Sequence, residues 1–325
     1  MDINERVNYY INNINTKNNF QKISTYLYLK DNELFIPNYL KILNFDLLLK
    51  QLNSVNKHKN FIVYGITLYN ILMKIVTNDI SLSSKLFLLR WGDANEDTDQ
   101  NKNIINIPYF TKTRRINNKT GILLNFNYNR HWENIPKVRK QDIKFKDKIG
   151  KLVWRGTTTG EGNDEFSFEN NRLLCIKKYY NHYKCNIGFS EVVQNVNIDS
   201  KYIKKSLKIF EQLKYKYILS IEGNDVASGL KWQLYSNSIV FMRKPKIVSW
   251  AMEDKLKPYI HYIPIKDDFS DCIEQISWCE NNQDKCNEII KNANNYIEQF
   301  LDKKKETIIH FLVLKKYFDL VNINK

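Results

Sequence analysis

The second half of the chain alternates short apolar runs with helical segments, and that alternation leaves few folds open. Lys151–Trp154 (KLVW), Asn186–Phe189, Tyr217–Ile221 (YILSI), Ser238–Met242 (SIVFM) and Tyr259–Ile265 read as strands. Between them Arg172–Tyr180, Ser200–Leu213 and Val226–Ser236 read as helices, and two more helices follow over 269–300. Buried strands of this kind, each followed by a helix, argue for parallel βαβ units in a Rossmann-like α/β sheet. Thr307–Val321 reads as a last helix with no strand after it. Upstream the pattern is less regular. Residues 1–60 read mostly helical, with YLKILNFDLLLKQL apolar at helical spacing, and Lys85–Trp91, Ile104–Phe110 and Gly121–Phe126 read as strands. The polar stretch 127–148 separates the two patterns. It divides the chain into residues 1–145, residues 146–303 and a C-terminal helix over 304–325.

Composition removes several classes. A chain of 325 residues suits one large domain or two ordinary ones, and 43% hydrophobic with 26% charged residues fits neither disorder nor a fibre. No apolar run approaches the ~18–20 residues of a membrane helix. The opening MDINERVNYY lacks the apolar core of a secretory leader and the closing VNINK is no retention signal, so a cytoplasmic setting is expected. Cys175, Cys185, Cys272, Cys279 and Cys286 lack the spacing of a disulfide framework or a zinc site. Lys+Arg 50 against Asp+Glu 35 gives +15, but the cations are dispersed among abundant Asn and Ile. That is the bias of an AT-rich genome, as in a microbe, protozoan or large DNA virus. It favours a nucleotide-sized anion over nucleic acid as partner.

Four segments carry chemistry. WRGTTTGEGN (154–163) runs from a strand into a Gly/Thr loop, whose N–H and hydroxyl groups suit a phosphate, although it is neither a P-loop nor G-x-G-x-x-G. In YKYILSIEGNDVASGLKWQLYSNSIVFM (215–242) a strand ends at Glu222–Gly223, and Asn224 or Asp225 is placed to cap a helix starting near Val226–Ser228. Such a helix start, at the carboxyl end of a parallel strand, suits a diphosphate, with Lys231 one turn further in. LLRWGDANEDTDQ (88–100) delivers acids from a strand end, one of which could serve as general base. It also contains Asp97-x-Asp99, which a metal-dependent transferase could use. A calcium loop is excluded, because Thr98 stands where Gly is required and Ile104 where Glu is. KPYIHYIPIKDDFSD (257–271) offers one histidine in an apolar run, more often a core residue than a catalyst.

Taken in order, WRGTTTG, YKYILSIEGNDVASGLKWQLYSNSIVFM and LKPYIHYIPIKDDFSD resemble glycosyltransferase family 90, the CAP-ten-like or Rumi-type enzymes that include protein O-glucosyltransferases. The resemblance covers about residues 150–300, is loose over 85–135 and absent over 1–80. It implies a GT-B type architecture, two Rossmann-like domains facing across a cleft. Residues 1–145 would be the acceptor side, 146–303 the nucleotide-sugar side, and the last helix would cross back to the first domain. It implies inverting transfer of a sugar, glucose ahead of xylose, from a UDP-sugar to a hydroxyl on a protein or protein-linked glycan. The donor is a substrate; no cofactor or metal is implied. Carried over by position, Arg155, Gly156 and Thr157 fall on the F/W-R-G-S/T motif, and Arg172 on the arginine of the following helix start. Gly223, Asn224, Asp225, Val226, Ala227, Ser228 and Gly229 fall on the diphosphate segment. The family pattern has an arginine at Gly229, so Lys231 or Arg172 would neutralise the diphosphate instead. The base falls on Asp93, with Asp97 in reserve. The alternatives are a metal-dependent transferase using Asp97 and Asp99, and a non-catalytic basic protein that binds nucleic acid. Oligomeric state stays open.

Overall fold

The computed structural model describes residues 1–11, 40–53, 59–94, 108–160 and 171–321. The chain divides into two compact units, Met1–Asn129 with Leu301–Lys325, and Arg130–Phe300.

The first unit contains α1 (Ile3–Tyr10), β1 (Leu40–Leu43), α2 (Phe45–Asn53), α3 (Lys59–Val76), β2 (Phe87–Arg90), β3 (Tyr109–Thr111), β4 (Thr113–Arg115) and β5 (Gly121–Leu123). A four-stranded sheet runs β1-β2-β3-β5, with β1 antiparallel to β2 and the other pairs parallel. Part of the expected first helix is therefore a strand. Leu40–Leu43 pairs with Phe87–Arg90, and the edge offered by β2 overrides a helical apolar spacing. The expected strand Ile104–Phe110 is seen only as Tyr109–Thr111, since 104–107 lie outside the described residues. The chain passes through α4 (Tyr128–His131) and returns to this unit as α11 (Lys303–Leu320). Tyr317 fixes α11 to the sheet: its ring lies 4.2 Å from Phe110, and its hydroxyl accepts the Leu88 N–H at 3.0 Å. Arg6 on α1 grips Glu306 of α11 through two bonds, 2.5 and 3.0 Å.

The second unit holds α5 (Ile135–Gln141), β6 (Ile149–Thr157), α6 (Asn171–Tyr179), β7 (Cys185–Glu191), α7 (Ile209–Gln212), β8 (Tyr215–Ser220), α8 (Leu230–Leu234), β9 (Ile239–Met242), β10 (Ile247–Ser249), β11 (Ile263–Pro264), α9 (Cys272–Asn281) and α10 (Gln283–Glu298). Its sheet is wholly parallel in the order β11-β9-β8-β6-β7. Chain order therefore reverses between β6 and β8. Leu152–Trp154, Tyr217–Ser220 and Ile239–Met242 are buried without interruption, which is why they read as continuous apolar runs. All five cysteines are free and buried here, and burial pushes the Cys185 and Cys272 thiols up to about 12.

Three expected elements are shorter than their patterns suggest. Ser200–Leu213 is not one helix. Lys204 N–H bonds Phe189 O at 2.7 Å, which holds the chain along the β7 edge, so a single 3-10 turn at Ser200–Tyr202 is separated from the short α-helix Ile209–Gln212. Val226–Ser236 shrinks to Leu230–Leu234 because residues 222–229 form a loop with bonds of its own. Tyr259–Ile265 is a strand only at Ile263–Pro264; before it the chain turns, with Tyr259 at φ +57°.

Candidate functional site at the switch point of the parallel sheet

In an open α/β sheet the crevice lies outside the carboxyl ends of the strands, where chain order reverses. Here that point is between β6 and β8. Two loops leave it, 158–160 after β6 and 221–229 after β8, and they touch. Gly160 sits at φ +85°, and a Cβ on it would lie 3.1 Å from the Gly223 carbonyl carbon. A Cβ on Gly223 would lie 2.6 Å from Thr159 Oγ1 and 2.8 Å from Arg172 Nη2. Glycine is needed at both positions, at the first for its backbone angle and at both for the close approach.

Two side chains join these loops. Asn224 Oδ1 accepts the Gly160 N–H at 2.7 Å. It therefore does not cap α8, whose N-cap Gly229 makes no side-chain bond. With five residues, α8 is also too short to lend the dipole expected of it. The Arg172 guanidinium reaches across the loops. It donates to Thr157 O at 2.8 Å, Thr159 Oγ1 at 2.5 Å, Ile221 O at 3.2 Å and Glu222 O at 3.3 Å. Its carbon lies 5.6 Å from the centre of the Trp154 ring. A planar fork of five donors can satisfy this many carbonyls at once, and a lysine cannot.

Beside the loops a small pocket is lined by Ser220, Glu222, Val226, Ala227, Leu230, Met242, Arg243, Pro245 and Glu253. It opens at the carboxyl ends of β8 and β9. Glu222 is partly buried, and desolvation pushes its carboxyl up to about 7 against the opposing charge of Arg243. Lys246 N–H donates to it at 3.3 Å. Arg243 approaches Asp267 at 3.9 Å and the Phe269 ring at 5.3 Å.

The residues singled out from sequence thus fall into groups. Thr157, Arg172, Gly223 and Asn224 converge on the switch point, Gly156 precedes it within β6, and Val226 and Ala227 line the pocket. Asp225 closes the loop through its carbonyl, which takes the Gly223 N–H at 3.0 Å, and Ser228 is exposed. Two cations lie elsewhere. Arg155 donates to Lys205 O at 2.9 Å and to Asn186 O and Asn186 Oδ1 at 2.8 Å, tying β6 to β7 and the chain beyond it. Lys231 is fully buried, with Nζ 2.7 Å from Glu253 Oε1, so it does not face the loops as a loose positive charge.

In the first unit, Asp93 follows β2 and meets Lys112, which follows β3, with Nζ to Oδ1 at 2.5 Å. Asp97 and Asp99 lie outside the described residues. Among the described residues no cluster of three His, Cys, Asp or Glu side chains could hold a metal, and no helix is long and apolar enough to cross a membrane.

A model of glycosyl transferase family 90 matches residues 126–325, more than half of the chain. The chain belongs to family 90. Its relatives include the O-glucosyltransferase LpsA of Dichelobacter nodosus, 35% identical over 217 residues, 66% of this chain and 63% of that protein. Uncharacterized protein 179R of Invertebrate iridescent virus 6 is 32% identical over 52% of this chain and 16% of its own length. Protein O-glucosyltransferase 2 of Danio rerio is 27% identical over 36% of this chain and 23% of its own. The chain spans less than two thirds of the length of each of these relatives. The family 90 match takes in the whole switch point. Sequence reasoning held Thr159 and Gly160 only as part of the Gly/Thr loop 154–163, and it did not single out Glu222 and Arg243 at the candidate site. The signal was present for the last two, since both stand at the carboxyl end of an apolar strand, YILSI and SIVFM.

Proposed function

We propose that this chain is an inverting glycosyltransferase that moves a sugar, glucose ahead of xylose, from a UDP-sugar to a hydroxyl on a protein or protein-linked glycan. Family membership supports sugar transfer, and the names of two relatives specify O-glucosyl transfer for those proteins. The observation that carries the proposal is the pair of touching loops at the switch point, with a pocket beside them at the ends of β8 and β9. In this reading the nucleoside end of the donor lies over the mouth of the pocket, where Glu222 offers a carboxylate to ribose hydroxyls. The diphosphate lies toward Thr157, Gly223 and Asn224–Ser228. Arg172 shapes this cradle as well as adding charge, and Arg243 stands at the pocket wall. The GT-B architecture, a cytoplasmic setting and metal independence belong to the same proposal.

In the transfer, Asp93 takes the proton of the acceptor hydroxyl as its oxygen bonds the anomeric carbon, and the bond from that carbon to the diphosphate oxygen breaks. The electron pair leaves with UDP. A placed base contributes ~10²–10⁴ in rate. Fixed N–H groups and cations at the leaving oxygen contribute several kcal/mol, ~3–4 for a single donor in measured cases.

The test is thermal unfolding of the full chain with millimolar UDP, in EDTA and separately in Mg²⁺ or Mn²⁺, followed by a donor-sugar screen. Binding at ~100 times Kd adds ~2.7 kcal/mol. A shift in EDTA is expected. A shift only with metal would replace this mechanism with one through Asp97 and Asp99. No shift under any condition would refute the donor site.

A further inference from the structure

We infer that Lys112 is a positioning residue for the base: its ammonium orients the Asp93 carboxylate and keeps it ionised while the acceptor hydroxyl is deprotonated. The inference rests on the proposal that Asp93 is that base.

Adjacent parallel strands bring the two groups together. β2 and β3 pair with Leu89 opposite Phe110, so the residues just past their carboxyl ends are neighbours. Asp93 leaves one strand and Lys112 the other, and Nζ meets Oδ1 at 2.5 Å. Exposure sets this pair apart from the other buried lysine pairs among the described residues. Two of those are buried on both sides, Lys148 with Asp142 (0% and 1% exposed) and Lys231 with Glu253 (0% and 2%). Those close off interior charges. In the third pair the lysine is 3% exposed and the aspartate 37%. The cation is fixed inside, its Nζ 5.8 Å from the centre of the Tyr64 ring on α3, and the carboxylate it holds is presented outward. A rigid cation behind an accessible carboxylate matches the demand on a general base that must be held in place and reached by a substrate.

The surrounding polar groups sharpen the effect. Arg90 on β2 is fully buried, bonds Thr111 Oγ1 at 3.0 Å and Thr113 O at 2.5 Å, and so fixes the turn that carries Lys112. Tyr64 contributes its ring from α3. Opposite charge at hydrogen-bond distance favours the ionised carboxylate. Lys112→Met therefore moves the acidic limb of the kcat/KM profile upward, and Lys112→Arg, which keeps the charge, leaves it in place.

The experiment measures UDP release from UDP-glucose, with water as acceptor, across pH 4–9 for the full-length wild type, Asp93→Asn, Lys112→Met and Lys112→Arg. The same titration is followed without turnover by ¹³C NMR of aspartate carboxyl carbons, the Asp93 signal being the one lost in Asp93→Asn. Circular dichroism checks folding, and Lys112→Gln replaces the Met variant if that one does not fold. The expected result is release abolished in Asp93→Asn, with limb and NMR midpoint both raised in Lys112→Met and unchanged in Lys112→Arg. Release lost in Asp93→Asn with an unshifted midpoint in Lys112→Met would overturn the role of Lys112 alone. Release retained in Asp93→Asn would remove Asp93 as the base, and the inference with it.

Discussion

Lys231 separates two accounts of the donor segment, because its sequence position suits a diphosphate and its structure does not. Its ammonium is fully buried, 2.7 Å from Glu253 Oε1, and the Glu253 side chain is 2% exposed. Glu253 also accepts Ser249 N–H and Ser249 Oγ–H, each at 2.6 Å. Lys231→Met would remove the cation that pairs with this carboxylate among the described residues and leave the two neutral donors. Stranding a buried charge costs about 3–5 kcal/mol. For a unit of this size each kcal/mol moves Tm by ~2–4 °C, so the expected loss is ~6–20 °C. Lys231→Met combined with Glu253→Gln should recover most of it, because the neutral amide oxygen still accepts from Ser249 and no charge is left behind. Urea and thermal unfolding of the full chain, with and without UDP, give all four corners of the cycle. The reasoning fails if Lys231→Met unfolds within ~1 kcal/mol of the wild type while losing the stabilisation by UDP. That would make Lys231 a ligand-facing cation after all.

Glu222 makes stability fall as pH rises. Its carboxyl, held at about 7 by burial against an ordinary 4.5, keeps in the folded state a proton that the unfolded chain releases, so stability is full below ~4.5 and declines by up to ~3 kcal/mol toward pH 7. Glu222→Gln should flatten that slope in denaturant titrations and be the more stable protein at pH 8. Arg172→Lys keeps a charge but loses the fork that spans Thr157, Ile221 and Glu222 carbonyls; UDP affinity measured by calorimetry should fall at least ~10-fold, whereas an affinity within twofold of wild type would mean that charge alone matters. Gly160→Ala, forced to φ +85° and against the Gly223 backbone, should cost ~1–2 kcal/mol and weaken UDP binding, both read from thermal unfolding.

The parallel sheet of the second unit was legible because its central strands are buried on both faces and so read as unbroken apolar runs between polar turns. The three sequence blocks likewise sufficed for family 90, whose model covers them all. The helices between strands were not legible in length. α7 and α8 are cut short by contacts that no local pattern encodes: Lys204 N–H on Phe189 O, and Asn224 drawn away to Gly160. The first sheet was harder still, since Leu40–Leu43 has helical spacing and becomes a strand only because β2 lies beside it.

Within the site, sequence could nominate cations but could not say where their donors go. The resemblance carries over Arg155 and Arg172 by position and leaves the diphosphate to Lys231 or Arg172. The structure commits Arg155 to Asn186 and Lys205, Lys231 to Glu253, and Arg172 to the carbonyls of two loops that meet at the switch point. A cation whose donors are taken by the protein still serves a diphosphate through its charge, provided that its partners lie at the site. Of the three, Arg172 alone has its partners at the ends of the strands where a ligand would lie, so its charge stays at the cradle while its bonds hold it open. The same consideration explains why Lys112 was passed over. Nineteen residues separate it from Asp93 in sequence, and only the pairing of β2 with β3 makes them neighbours.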